Sequence, residues 1–268
     1  MLAITKLSAQ NKIIIDLNTS KQSTNKYSQN ETEIKSIVYN AVGKKSTIIN
    51  TTSYTYTGID YSANNLEFLV GPIKFNSIQN DLSLIHKLTR KMNVNVSINP
   101  VATFEQNLSI SNIALLAQVG ISYKFNKSSQ LNIGALRGMT FGEIQILPTL
   151  TFLYKLNEEL NMELGFPYTS LSFSNNIRNT LKLTNNFAGT SYNLESETSY
   201  NIPTTAHYSS MTTSFEYERN VDSNWFLNFK GGYEFAKKFN YKYENQKTFY
   251  DFKMKDAYSF TIGLKYKY

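Results

Sequence analysis

The last thirteen residues, "DAYSFTIGLKYKY", alternate without a break. Tyr258, Phe260, Ile262, Leu264, Tyr266 and Tyr268 fall on one side of an extended chain; Ala257, Ser259, Thr261, Gly263, Lys265 and Lys267 fall on the other. A chain with such segments must cover a continuous apolar face. Four further stretches repeat the theme: "LSLIHKLTRKMNVNVSI", "VGISYKFNKSSQLNIGA", "LTFLYKLNEELNMELGF" and "SFEYERNVDSNWFLNFKGGYEF". Each joins two alternating runs through a short polar turn, which is the signature of a β-hairpin. Their repetition predicts an up-and-down meander in which each strand pairs with its sequence neighbours.

The faces decide what covers the apolar side. Ile113, Leu115, Ala117, Val119, Ile121, Tyr123 and Phe125 share one face, as do Trp225, Leu227, Phe229, Tyr233 and Phe235. The opposite faces are small, polar or charged. They carry Lys124, Lys155, Glu163, Lys182, Glu216, Glu218, Lys230, Glu234, Lys265 and Lys267, which are expected to line a lumen. Aromatic residues gather beside the short turns: Tyr123, Phe125, Tyr154, Tyr217, Trp225, Tyr266 and Tyr268, with His86 in the equivalent place on its hairpin. A polar interior, an apolar exterior and an aromatic girdle are the pattern of an outer-membrane barrel, the reverse of a soluble one. Lys230 sits near the middle of its strand, and turning it to hydrocarbon would cost roughly 2–4 kcal/mol. Open sheet edges are not tolerated in lipid, so the sheet must close.

The expected fold is therefore an all-β transmembrane antiparallel up-and-down barrel of about 14 strands. Short turns are placed near 43–45, 89–92, 126–129, 157–159, 174–177 and 220–223, and longer connections near 18–33, 58–77, 105–112, 195–204 and 237–255. The even count puts both termini on the periplasmic side, where the carboxyl end of such a barrel lies. The stretch "NMELGFPYTSLSF" must then bend at Gly165-Phe166-Pro167 into a short hairpin; as one distorted strand it would lower the count to 12. Residues 1–9 read as a signal-peptide remnant or an N-terminal tail, and 10–268 as one barrel domain.

In "YKLNEELNMELGFPYTSLSFSNN" and in the aromatic-ended "YSFTIGLKYKY" the chain resembles a family of uncharacterised outer-membrane β-barrel proteins of Bacteroidetes-type bacteria. The second stretch is also similar to the terminal strand by which the barrel assembly machinery recognises its substrates. The resemblance implies a location in the outer membrane of a Gram-negative bacterium and a fold, and it brings no catalytic residues.

Other classes find little support. The chain has no Cys, which excludes disulfides and thiolate metal sites, and only two His, which lie far apart in sequence. The longest apolar stretch, "IALLAQVGI", is too short for a membrane helix. The net charge of +7 is spread along the chain without any nucleic-acid-binding motif, so nucleic acid is not an expected partner. No cofactor, metal or catalytic residue is expected. "AHYSS" places His207 and Ser209 two apart on the lipid face near the outer rim, the minimum for acyl transfer; without a third group to orient the imidazole, a lipid hydrolase ranks last. Two readings lead: a passive or weakly selective pore for small solutes, and a non-conducting interaction barrel that binds through its loops. Outer-membrane lipids and lipopolysaccharide are the expected surroundings. The Lys- and aromatic-rich "AKKFNYKYENQKTFYDFKMK" is expected to be a solvated hairpin end, with a pore constriction or a glycolipid-binding loop as its other readings.

Overall fold

The computed structural model describes residues 12–24, 27–61, 73–176, 178–194, 203–252 and 254–268; residues 1–9, read above as a tail, lie outside these. Among the described residues the strands are β1 (Lys12–Ser23), β2 (Tyr27–Val42), β3 (Ser46–Tyr61), β4 (Ile73–Lys87), β5 (Met92–Phe104), β6 (Ile113–Lys124), β7 (Ser129–Gly138) and β8 (Gln145–Lys155). They continue as β9 (Leu160–Phe166), β10 (Tyr168–Asn176), β11 (Asn179–Asn193), β12 (Thr205–Asn220), β13 (Trp225–Lys242), β14 (Thr248–Phe252) and β15 (Ala257–Lys267). Each strand from β1 to β13 pairs antiparallel with the next. β15 pairs with β13 through Trp225↔Tyr266 and with β1 through Ile15↔Tyr266, so the ring closes. β14 pairs only with the far end of β13, as in Phe239↔Phe252, and stands above the ring. The barrel has fourteen strands. The short hairpin at Gly165-Phe166-Pro167 is real, which settles the count against 12.

Local chemistry explains why one end is all tight turns. Asn126, Asn157 and Asn176 each accept two hydrogen bonds from backbone N–H groups two and three residues on, at 2.7–2.9 Å. The Thr89 hydroxyl does the same for Lys91 and Met92. Such side-chain turns satisfy the backbone where the ladder ends. At the β2–β3 turn the chain reverses through Gly43, whose φ of 65° only glycine adopts without strain.

The apolar faces point outward. Phe229 is 39% exposed and its partner across the β13–β15 ladder, Ile262, is 45% exposed; both would be buried in a soluble barrel of this sequence. Two of the expected long connections are strand instead. β1 runs on to Ser23 with β2 starting at Tyr27, and β3 and β4 extend to Tyr61 and from Ile73, so 18–23, 27–33, 58–61 and 73–77 are wall. These segments rise above the apolar band, where the outer face meets water while Tyr27, Ile59, Ile73 and Phe75 pack inward. They are therefore rich in Thr, Ser, Asn and Glu and lack the alternation by which strands are recognised. β13 likewise continues to Lys242. At Ala236, which has φ 53°, it bulges: between Met211↔Phe235 and Ser209↔Lys238, Ser210 of β12 faces two residues of β13, Ala236 and Lys237.

Phe229→Lys should lower stability by about 2–4 kcal/mol in lipid vesicles, read by chemical unfolding of the heat-modifiable barrel. Its neighbour Lys230→Leu, on the other face, should cost much less. The reverse order would mean that the faces are assigned the wrong way round.

Candidate functional site

The alternation that turns Phe229 and Ile262 to lipid turns the charged residues inward, where they form layers along the lumen. Nearest the tight turns is a cavity of about 1000 Å³. Lys124, Lys155, Glu163, Lys182, Glu216, Glu218 and Lys265 line it, joined by Arg90, Lys91 and Lys127 from the turns. Seven basic side chains thus stand against three acidic ones. Glu218 is the hub. It accepts hydrogen bonds from the Nζ atoms of Lys265 and Lys267, both at 2.5 Å, and Lys265 also stands 3.7 Å from Asp16. Glu216 is held by the Asn228 amide at 2.7 Å. Lys124, Lys155 and Lys182 take part in no ion pair among the described residues, so the cavity carries an excess of uncompensated positive charge.

Above this vestibule Lys230 lies opposite Glu216 in the β12–β13 register. Glu234 then forms a buried network. Its carboxylate accepts hydrogen bonds from Tyr208 and Gln22 and lies 3.3 Å from the ammonium of Lys237, whose side chain is fully buried. Lys237 also donates to Gln22 at 2.6 Å and to the Tyr27 hydroxyl. Lys237 was hidden in the sequence. Plain alternation from Trp225 through Phe235 puts residue 237 on the lipid side, and only the Ala236 bulge reverses the faces beyond it.

The same reversal makes the third layer. Phe239 and Tyr241 turn inward and pack with Tyr27, Ile59, Ile73, Phe75, Tyr192 and Phe252 in a buried aromatic cluster across the end opposite the tight turns. Phe75 and Tyr192 stack at 4.1 Å, and Phe239 lies 4.7 Å from Phe252. The expectation of a wholly polar lumen is therefore corrected at this end. The "AKKFNYKYENQKTFYDFKMK" segment is a hairpin end, β13–β14, whose tip at 244–248 is exposed, but its Phe239, Tyr241 and Phe252 turn inward and roof the lumen rather than standing in solvent.

The aromatic residues assigned to the girdle lie at the tight-turn end. Trp225 packs on Tyr266 at 5.0 Å, Tyr123 on Phe125 at 5.2 Å, and Tyr154 on Phe152 at 6.1 Å. Tyr217 donates its hydroxyl to Asn179 at 2.7 Å, and Tyr268 exchanges backbone hydrogen bonds with Ile13. His86 Nδ1 meets the Ser46 hydroxyl at 2.9 Å. His207 and Ser209 point outward but are buried rather than open to lipid. His207 Nδ1 faces the Gly142 carbonyl at 2.6 Å and Nε2 the Thr205 hydroxyl at 2.9 Å. Both ring nitrogens are engaged away from Ser209, so the pair has no geometry for activating the hydroxyl. Among the described residues no three His, Asp or Glu side chains gather as a metal site.

Comparison with solved structures recovers the architecture. The TodX monoaromatic hydrocarbon channel deltaS2 mutant matches with a TM-score of 0.51 at 10% identity, over 97% of this chain and 90% of that one. An outer membrane channel from Pseudomonas putida F1 matches with a TM-score of 0.48 at 7% identity, over 97% and 95% of the two chains. The NanC porin matches with a TM-score of 0.43 at 10% identity, over 95% and 100%. At 10% identity the likeness to the TodX channel is one of fold, a transmembrane β-barrel. No curated protein matches the chain. Residues 15–267 match the family described as Domain of unknown function (DUF6268), and this chain, with its charged vestibule and aromatic roof, belongs to that family.

Proposed function

We propose that the protein is a passive, weakly selective pore for small solutes in the outer membrane of a Gram-negative, Bacteroidetes-type bacterium. The observation that carries this reading is the vestibule of about 1000 Å³ with a charged wall, inside a ring of fourteen strands. A barrel serving only as a support would fill this space with packed side chains, as small barrels do. The excess of Lys and Arg over Glu favours anions, though weakly, because Glu218 neutralises Lys265 and Lys267 locally. The turn-end girdle and the longer connections opposite it support an orientation with both termini periplasmic. On this reading the surroundings are outer-membrane lipids and lipopolysaccharide, the terminal strand is the segment read by the assembly machinery, and no enzymatic step is involved.

The aromatic roof favours a second reading, a barrel closed to solutes whose outer surface serves a partner. Single-channel recording in planar bilayers separates the two. The wild-type protein should conduct in small steps, and Phe239→Ala, which opens the roof, should enlarge them. Silence from both proteins would establish the closed barrel. Glu218→Gln should move the zero-current potential in a salt gradient further toward anion preference. A shift toward cations would contradict the assignment of Glu218 to the permeation path.

A further inference from the structure

The wall has a low point. β9 and β10 have 7 and 9 residues where the following β11 and β12 have 15 and 16. β8 last pairs with β9 at Leu150↔Phe166 and runs on to Gln145 without it. β11 last pairs with β10 at Tyr168↔Asn186, after which Phe187 N–H donates to the Pro167 carbonyl at 3.1 Å and the strand continues to Asn193. Two strands are missing here, a width of roughly 10 Å at ~4.8 Å per strand. Above the notch the ring is rejoined by β5. Asn193 pairs in parallel with Phe104, the Thr103 hydroxyl donates to the Ser191 carbonyl at 2.6 Å, and the Asn193 amide donates to the Thr103 carbonyl at 3.2 Å. The opening is framed on every side.

Its depth follows from the register. Met162 lies opposite the girdle residue Tyr154, and the hairpin tip at Phe166 is only four residues further on. With a tilt near 40° that is a rise of roughly 10 Å, against an apolar band about 25 Å tall. The notch therefore opens within the hydrocarbon, and the outward residues beside it, Ile146, Leu150 and Leu164, are apolar and exposed.

The β7–β8 connection, Met139 to Ile144, fills the opening. It turns through Gly142 at φ 84°, with Gly142 N–H donating to the Met139 carbonyl at 2.7 Å. It lies so close on β11 that a Cβ at Gly189 would collide with Gly142 N and the Met139 carbonyl. Two contacts latch it: His207 Nδ1 to the Gly142 carbonyl, and Lys242 to Glu143. Phe141 hangs over the hairpin tip, 6.0 Å from Phe166 and 6.1 Å from Phe187, and remains 43% exposed.

Behind the loop lies a second cavity, of about 450 Å³. Met139 and Phe187 reach it from the notch, and Leu136, Tyr208 and Phe239 give it an apolar wall. Gln29 closes the far side; it is 7% exposed, and its Oε1 accepts no hydrogen bond. A buried amide oxygen left without a donor is costly. Cavities of this size and mixed lining take a small molecule with an apolar body and one polar group.

We propose that the notch is a side entrance between the bilayer and this cavity, with the Met139–Ile144 loop as its door. The molecule it admits is small and mainly apolar, and carries one hydroxyl or amine that donates to Gln29. The entrance is independent of ion flow through the vestibule, so either reading can fail alone. The chain has no Cys, so Phe141→Cys/Phe187→Cys can be bridged by a short bis-methanethiosulfonate, each thiolate forming a disulfide as a methanesulfinate leaves.

With 2-naphthol as probe and the protein in lipid nanodiscs, stopped-flow fluorescence should show saturable binding. Bridging should slow entry about tenfold or more, with affinity nearly unchanged. Gly189→Leu, which pushes the loop off β11, should speed entry. Gln29→Leu should weaken binding about fivefold, the worth of one hydrogen bond. The proposal is overturned by an absence of saturable binding, by an entry rate insensitive to bridging, or by an unchanged affinity in Gln29→Leu. Conductance measured on the same bridged protein reports on the pore separately.

Discussion

Hydrocarbon offers no water to a free peptide group, so every N–H and C=O at membrane depth must be paired by the protein itself. That requirement produces the closed ring, in which β15 completes the ladder by pairing with both β13 and β1. It also accounts for the oddest part of the wall. Where β9 and β10 stop short, the upper edges of β8 and β11 lose their ladder partners within the apolar band. The gap is covered by the Met139–Ile144 loop, which packs on β11 at Gly189 and is held by His207, and the end of β5 crosses to pair with β11. Glycines at 142 and 189 permit that close approach, since a side chain at 189 would strike backbone.

The lumen grades from charged to apolar along its length. At the tight-turn end, Lys and Glu face water and one another, and basic residues predominate. Midway, Glu234 and Lys237 are buried together, with Tyr208, Gln22 and Tyr27 completing their hydrogen bonds. At the far end Phe75, Tyr192, Phe239 and Phe252 are buried against one another. One backbone irregularity separates the lower pattern from the upper on β13. The bulge at Ala236 shifts the strand by one residue and carries Lys237, Phe239 and Tyr241 from the lipid side to the inside.

Legibility in the sequence followed the contrast between the two faces. Tyr258 to Tyr268 and Ile113 to Phe125 sit at membrane depth, where one side meets acyl chains and the other meets water, so alternation alone gave their direction. The tight turns near 126–129, 157–159 and 174–177 were legible as short polar breaks between alternating runs, and Asn126, Asn157 and Asn176 cap the backbone there. Residues 18–23, 27–33, 58–61 and 73–77 read as connections because their outer face stands above the apolar band, where no lipid enforces a greasy side, yet they are strands. His207 and Ser209 were placed outward near the rim, but the loop that buries them comes from β7–β8, more than sixty residues away, and no local signal announces it.

What the chain determined by itself is the set of choices made one strand at a time: which face is apolar and where the tight hairpins turn. These depend on the period-two geometry of the strand and on neighbours adjacent in sequence. Tertiary structure alone decided the aromatic roof, the buried Glu234–Lys237 network and the framed notch beside Phe141. Each arises from strands that meet across the barrel or above it, after a bulge or a shortened hairpin has changed the register, and such contacts leave no periodic trace along the chain.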